Sequence, residues 1–440
     1  MKNNSQIRVR IAPSPTGNLH VGTTRTALFN YLFAKKNNGD FIIRIEDTDK
    51  ERSTPEFEKN ILEGLERLGM GSQEIYRQSE RTDIYKKYLK QMIDTGHAYE
   101  SKEEVKEEGQ RSSVIRFKNP NKVVTFVDMI RGEISFDTTD LGDFVIAKSM
   151  EEPLYHLAVV VDDFDMKISH VIRGEDHISN TPRQILIQEV LKAPKPLYAH
   201  LPLILTKEKK KMSKRDGATS MMDYINKGYL QSTLINFLAF LGWHPEGERE
   251  VFTLEELVEE FDITRVQKGG AIFDTDKLDW FNKEHIKKIS DIDFQNIIKE
   301  SAQVFITNQT FLTLIRERIT VFGEISDILK KDGEFGHLLF APEYSDITKV
   351  IWKDSTVDQT KEYVSQVILK LETINDAEFN AEKTKEVVWE YATEQGRGAV
   401  LWPTRYILSG QDKSPDPFTI MEILGKEESL IRLHNGIEIL

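Results

Sequence analysis

Residues 13–23, PSPTGNLHVGT, set a histidine directly behind a proline-stiffened bend. Gly17 can take the positive φ that a tight turn needs, and Pro13 and Pro15 stiffen the approach. A helix starting behind such a turn has N–H groups without partners and the positive end of its dipole there. That is an anion site. His20 can donate to a phosphate oxygen, and Gly22 leaves room for a flat base or a ribose. The same letters also suit a plain strand-to-helix turn with a satisfied histidine.

Three further segments carry candidate chemistry. In LTKEKKKMSKRDG (205–217), six of the nine residues from Lys207 to Arg215 are basic, and Asp216-Gly217 closes the run as a turn. A basic loop after a strand, LPLIL, is placed to fold over a polyphosphate; a solvated lysine-rich loop or a localisation patch reads the same way. RIEDTD (44–49) puts Arg44, Glu46, Asp47 and Asp49 at the carboxyl end of a strand, the edge where open α/β sheets bind ligands. Glu46 suits an ammonium group; loop charges and a helix cap are the plainer alternative. YHLAVVVDD (155–163) and KISHVIRGEDH (167–177) read as buried strands ending in polar clusters. Arg173 stands out, because a guanidinium leaving a buried strand requires a carboxylate or phosphate partner. That partner is either internal, such as Glu46, or a ligand carboxylate. His177 beside Asp176 makes a poor chelating pair, since chain neighbours seldom converge on one metal.

The elements that must position these groups are legible as patterns. VRIAPS (9–14) reads as a strand, and Val21 to about Asn37 as a helix with Leu28, Tyr31, Leu32 and Lys35 on one stripe. Asn38-Gly39 stops it, and FIIRIE (41–46) alternates as a second strand. This is a βαβ unit, so the sheet is parallel. Helices are expected near 56–69 and 81–95. The charged SKEEVKEEGQ then leads into SVIRFK, VVTFVDMI, GEISF and DFVIAK, which read as antiparallel strands of an insertion. TPRQILIQEVLK reads as a helix. From Gln231 the pattern is mostly helical: LINFLAFLGW has the length of a buried helix, FTLEELVEEF (252–261) opens with a Thr253–Glu256 capping box, and TKEYVSQVILKLETI is amphipathic.

Composition bounds the function. With 440 residues the chain exceeds a single core, and about two to four domains are expected. Apolar residues at 39% and charged ones at 30% are an ordinary soluble balance. No run approaches a membrane span, and MKNNSQIRVR lacks a signal peptide's apolar core. The absence of cysteine excludes disulfides, thiolate zinc sites and cysteine nucleophiles, and is compatible with the cytoplasm. A net charge of −13 argues against coating nucleic acid indiscriminately, though not against a local basic face. GxSxG, Walker GxxxxGK[ST], GxGxxG and HExxH are all missing.

Taken together and in order, the segments resemble a family. HVGT at 20–23 is similar to the HIGH motif of class I aminoacyl-tRNA synthetases, and KMSKR at 211–215 to their KMSKS motif. The longer strings RIAPSPTGNLHVGTTRTALFNYLFAK, RIEDTD, YHLAVVVDD, HVIRGEDHISNTPRQ and KMSKRDGA resemble the glutamyl-tRNA synthetases, and GRGAVLWPTRYILSG…SPDPFTIMEILGKEESLIRL carries the resemblance almost to the end. The fold it implies is an α/β Rossmann-type catalytic domain with a strand-containing insertion, followed by an all-α C-terminal anticodon-binding domain. The expected ranges are 1–100 for the first half of the catalytic domain, 101–180 for the acceptor-end insertion, 181–225 for the second half with the KMSKR loop, 226–310 for a stem-contact domain and 311–440 for the anticodon domain.

The implied reaction joins L-glutamate to the 3′ end of tRNA(Glu). The substrate carboxylate attacks the α-phosphate of ATP, pyrophosphate leaves, and a ribose hydroxyl of the tRNA takes the glutamyl group. Such transfers rest on positioning and charge stabilisation rather than on an enzyme nucleophile. By resemblance, His20, Gly22, Thr23, Asp176, Lys211 and Lys214 would bind ATP, with His20 and Lys214 the catalytic pair on its phosphates and Asp176 at the ribose. Arg10, Ile11, Ala12, Ser14, Glu46, Tyr155 and Arg173 would surround glutamate, with Glu46 on the amino group and Arg10 and Arg173 on the carboxylates. Arg318 would lie near the anticodon. Mg²⁺ would come with ATP, held largely by its phosphates; zinc is not expected. A monomer is expected.

Thr23 stands where HIGH has its second histidine, Arg215 replaces the last serine of KMSKS, and the stretch from Glu100 to Ile115 is short for the family. The resemblance leaves open whether tRNA(Gln) is charged as well. Two rivals differ: a glutaminyl-type relative or truncated paralogue, and a catalytically silent RNA-binding protein of the same fold. The helical tail and the intact His20, Lys214, Arg173 and Glu46 speak against both.

Overall fold

The computed structural model describes residues 6–103, 113–212, 220–344 and 346–440. The chain divides into two compact units, Met1–His285 and Ile286–Leu440.

The first unit begins with the expected βαβ. Strand β1 (Arg8–Ile11), helix α1 (Val21–Lys36) and strand β2 (Asp40–Ile45) are followed by α2 (Pro55–Arg67), β3 (Ile75–Arg77) and α3 (Thr82–Asp94). β2 pairs in parallel with β1 and with β3. Lys35 and Lys36 sit in the last turn of α1, where cations oppose the helix dipole. The stop behind them is steric. A Cβ on Gly39 would run into the Ile7 carbonyl and side chain, so only glycine lets the chain return to β2 this close to β1.

Short strands follow: β4 (Ala98–Lys102), β5 (Ser113–Phe117), β6 (Val123–Asp128), β7 (Gly132–Asp137), β8 (Phe144–Ser149) and β9 (Glu152–Pro153). β4, β5, β8 and β9 form an antiparallel sheet. β6 and β7 form a separate hairpin whose alternation Val124, Phe126, Asp128 turns inward.

The stretch YHLAVVVDD, expected as a buried strand, is instead helix α4 (Tyr155–Asp165). Its run from Leu157 to Asp163 is buried on every side. An apolar run this short has no exposed face to reveal its period, so helix and strand look alike in the letters.

β10 (His170–Gly174), α5 (Thr181–Leu191) and β11 (Leu197–Leu201) complete a second parallel pair. The Ser169 N–H donates to the Arg8 carbonyl at 2.9 Å and the Arg8 N–H to Ser169 Oγ at 2.8 Å, setting β10 beside β1. The layer therefore runs β3-β2-β1-β10-β11, with the order reversing between β1 and β10. β11 is joined on its far side by β6, Tyr198 opposite Asp128. LPLIL breaks at Pro202, and only β12 (Ile204–Leu205) continues, pairing with β13 (Ala271–Ile272). Between them lie α6 (Met221–Asn226), α7 (Gln231–Ala239) and α8 (Leu254–Glu260), the last opened by the expected Thr253–Glu256 capping box. α9 (Thr275–Lys287) closes the unit.

The second unit is helical: α10 (Asp291–Ala302), α11 (Gln309–Arg318), α12 (Ile325–Leu329), α13 (Val357–Glu372), α14 (Ala381–Gln395), α15 (Arg397–Ser409) and α16 (Pro417–Ile439). Capping explains the starts: Thr356 and Gln359 form a capping box on α13, and Asp416 caps α16 ahead of Pro417. Gly425, at φ 78°, breaks α16 into two runs, and Pro403 lies inside α15. Val364, Leu371, Val388, Val400, Ile407, Met421 and Leu433 are buried in this unit. Among the described residues no helix is long and apolar enough to cross a membrane.

Candidate active site

Open α/β sheets bind ligands beyond the carboxyl ends of their strands, where the strand order reverses. Here that point lies between β1 and β10. β1 delivers Arg10, the segment after β2 delivers Glu46, and β10 delivers Arg173. These are three of the residues expected around glutamate, and all three are buried.

The charges are organised from below by α4. Asp163 accepts from Arg10 Nε at 3.1 Å and from Arg44 Nη1 at 2.6 Å. Arg44, without exposure, also donates to Glu46 Oε1 at 3.1 Å. Asp162 takes Arg81, Tyr85 and Gln78. Burial alone would raise the Asp163 pKa, but the guanidiniums of Arg10 and Arg44 outweigh it and hold the carboxyl below the ordinary value. For Glu46 burial wins, and its pKa is raised against the pull of Arg44 and Arg10.

Several groups in this cluster remain unspent. Arg10 uses Nε on Asp163, and its two terminal nitrogens make no hydrogen bond among the described residues. Arg173 donates through Nε to His200 at 3.2 Å and through Nη2 to Thr181 Oγ1 at 2.8 Å, while its buried Nη1 has no partner. No carboxylate pairs with Arg173 among the described residues; Glu46 is committed to Arg44 instead. Tyr155, at the start of α4, has a pKa raised by burial and feels the charges of Glu46, Arg173, Arg10 and Asp163 together. Its hydroxyl bonds His177 Nδ1 at 3.0 Å. Ile11 and Ala12 lead out of β1, and the turn is pinned where the Glu46 N–H donates to the Pro13 carbonyl at 2.9 Å. Ser14 is exposed beside it.

At α1 the histidine does something the sequence left open. His20 is the N-cap, and its Nδ1 accepts from the N–H groups of Gly22 at 3.1 Å and Thr23 at 3.4 Å. Nδ1 is therefore unprotonated and Nε2 carries the proton, 3.1 Å from Thr23 Oγ1. The ring itself lies over Gly22: a Cβ there would meet His20 Cε1 at 3.1 Å. Two of the N–H groups expected to meet a phosphate are thus already capped by the imidazole.

The chain just beyond the basic segment meets this bend. Met212 is anchored by its N–H to the Ile204 carbonyl at 3.0 Å, Ser220 forms a β-bridge with His20, and the Met221 N–H donates to the Leu19 carbonyl at 2.9 Å. Lys214, the expected phosphate ligand, lies outside the described residues, but the chain on its far side pairs with His20. Lys211 stands 3.5 Å from Asp176. Asp47 and Asp49 do not join the cluster: Asp47 binds Ser79, and Asp49 binds Arg52. Arg318 ends α11 and is ion-paired with Glu334 at 2.6 Å on the surface.

Sequence reasoning missed Asp163 and His200, which bear on the two arginines, and gave no role to Arg44 or Arg25. Arg25 is buried on α1 and donates to the carbonyls of Leu241 and Pro202; burial lowers its pKa to about 10, with Glu175 and Asp176 opposing. The paired aspartates closing YHLAVVVDD were the available signal for Asp163.

A family model described as tRNA synthetases class I (E and Q), catalytic domain, matches residues 6–111 and 100–280, and an anticodon binding domain model matches 253–437. The glutamate–tRNA ligase of Carboxydothermus hydrogenoformans is 39% identical, with 98% of this chain and 99% of that protein covered. The glutamate–tRNA ligase of Aquifex aeolicus is 38% identical, with 99% of each covered. A crystal structure of a glutamate tRNA ligase from Elizabethkingia meningosepticum in complex with its amino acid has a TM-score of 0.88 at 34% identity, covering 99% of this chain and 100% of that one. With its parallel-sheet site and its helical second unit, the chain belongs to the glutamate–tRNA ligases of the class I aminoacyl-tRNA synthetases.

Proposed function

We propose that the crevice between β1 and β10 binds L-glutamate by its three charged groups and presents its α-carboxylate to ATP bound over the start of α1. The carrying observation is the pair of buried arginines with unspent N–H groups: Arg10 through its terminal nitrogens and Arg173 through Nη1. Arg173 is a buried guanidinium without a carboxylate, which is costly, whereas Arg10 already pairs with Asp163 through Nε; a dianionic substrate supplies the anion for Arg173 and partners for the terminal nitrogens of Arg10. Glu46, held by Arg44, takes the ammonium group, and the Tyr155 ring covers the side chain.

For the nucleotide, His20 at the helix cap donates from Nε2 to the phosphates in exchange for its contact with Thr23 Oγ1, Gly22 and Thr23 form the floor, Asp176 holds the ribose, and Lys211 and Lys214 bring positive charge to the phosphates. Donors set where charge develops accelerate the displacement without a covalent enzyme intermediate. Among the described residues no group of three or more His, Asp or Glu side chains could hold a metal ion. Mg²⁺ is assigned to the triphosphate, whose oxygens hold it, and no step here runs through it. The tRNA carrying glutamate is tRNA(Glu), with Arg318 assigned to the anticodon side. The reading includes work in the cytoplasm as a monomer, and the five sequence ranges given above as its domains.

Steady-state glutamylation of tRNA(Glu) tests the assignment. Arg173→Ala raises the KM for glutamate by about tenfold or more, as expected for losing a charged hydrogen bond, with the KM for ATP little changed. Lys214→Ala slows adenylate formation with little change in tRNA affinity. An unaltered glutamate requirement in Arg173→Ala would sink the reading.

A further inference from the structure

Arg173 is held by a relay that crosses three neighbouring strands. His200 on β11 is the register partner of Arg173 on β10, and Asp128 ends β6 on the other side of β11. All three are buried, His200 completely. Asp128 Oδ2 accepts from the His200 N–H at 3.0 Å and stands 2.6 Å from its Nδ1. Asp128 Oδ1 accepts from the N–H groups of Ile130 at 3.0 Å and Arg131 at 2.9 Å. On the far edge of the ring, His200 Nε2 accepts from Arg173 Nε and lies 3.2 Å from Thr181 Oγ1.

The proton inventory fixes the tautomer. An arginine Nε always carries hydrogen, so His200 Nε2 must present a lone pair. Nδ1 then carries the imidazole proton and donates it to Asp128, which is ionised and faces only donors. Burial, with Arg173 and Arg131, keeps His200 neutral against the pull of Asp128. If the tautomer were reversed, two N–H groups would face each other at Arg173.

From this geometry we infer that Asp128 and His200 are positioning residues for glutamate: they spend Arg173 Nε on the ring and so aim Nη1 at the substrate carboxylate. The guanidinium is planar, so fixing Nε and Nη2 leaves Nη1 a single direction. Thr181, which takes Nη2, completes the clamp. A side effect is that the β6–β7 hairpin of the insertion supplies one end of an amino-acid-binding device. The inference rests on the assignment of Arg173 to a glutamate carboxylate.

The test uses two near-isosteric replacements in the full-length enzyme. An asparagine amide stands near the Nδ1 position of a histidine and reaches Asp128 alone. A glutamine amide stands near Nε2 and can accept from Arg173. His200→Asn is expected to raise the KM for glutamate about tenfold, with the KM for ATP within about twofold, and His200→Gln is expected to recover most of the loss. Asp128→Asn is expected to raise it as His200→Asn does, because an amide N–H opposite the ring favours the wrong tautomer. Equal KM values for the asparagine and glutamine variants, or a parallel rise for ATP, would overturn the positioning role. Independently of any variant, nitrogen-15 shifts of His200 in the unmodified protein are expected to show the Nδ1–H tautomer; the Nε2–H form overturns it. Arg173→Ala separates the two layers. If it leaves the glutamate KM unchanged, the site assignment fails; if it raises it while both His200 variants do not, only the relay fails.

Discussion

Arg44 is surrounded by Asp163 at 2.6 Å, Glu46 at 3.1 Å and Asp162 at 3.7 Å, without exposure to water. Removing the centre of such a cluster leaves buried carboxylates facing one another, which typically costs about 3–5 kcal/mol. Arg44→Met is therefore expected to lower the unfolding free energy by that order, read as a lower urea midpoint, and to weaken glutamate binding through Glu46. Equilibrium unfolding and the glutamate KM check both. His337, in the second unit, is the opposite case: neither ring nitrogen makes a hydrogen bond of good geometry, and burial, aided by Arg432 and opposed by the Glu334 backbone, lowers its pKa from 6.5 to about 4. The unfolded chain binds that proton more tightly, so the stability linked to His337 is complete above pH 6.5 and is lost as the pH falls towards 4. His337→Phe keeps the shape and removes both polar atoms. Its Tm is expected to exceed the parent's by more at pH 5 than at pH 7.5; an equal difference at the two pH values contradicts the assignment.

At the scale of elements, α1 is the lever. Its cap is a side chain that also faces the proposed nucleotide, so cap geometry and chemistry are one quantity. In Gly22→Ala the new methyl stands 3.1 Å from the imidazole, so the ring must shift by a few tenths of an ångström. The variant is expected to slow adenylate formation, while the glutamate KM stays near the parent value. Pre-steady-state kinetics check both. α1 and β2 are dry on nearly every side, and they were legible from their lengths and borders: a long helical run stopped at Asn38-Gly39, then a short strand closed by charges. α4 was not, because it is dry all round and too short for its length to decide between helix and strand. Arg10, Glu46 and Arg173 were legible as residue types at strand ends, and the resemblance sharpened their roles. Asp128 and His200 were not, since they lie 72 positions apart and meet only through strand pairing. Nothing in either local string announces the other.

For the whole molecule, the charge of −13 sets a constraint. A tRNA must be met by a restricted basic face, because the summed field repels it. Counterion release then makes tRNA binding depend steeply on salt. Between about 50 and 200 mM salt the KM for tRNA is expected to rise by about tenfold or more, while that for glutamate, whose ligands are buried, changes less than about twofold. Parallel changes would contradict the buried placement of Arg10 and Arg173. The α/β order and the helical tail could be read from the sequence because composition shifts at their borders. That the insertion hairpin joins the catalytic layer could not, because that junction is made by β6 alone, through Tyr198 and Asp128.

This junction has a consequence for anyone recombining such enzymes. A chimera that exchanges residues 118–140 for a relative's hairpin also exchanges the acceptor for the His200 ring. Grafts that keep an aspartate at position 128 should retain their appetite for amino acid, and those that do not should starve at concentrations that saturate the parent.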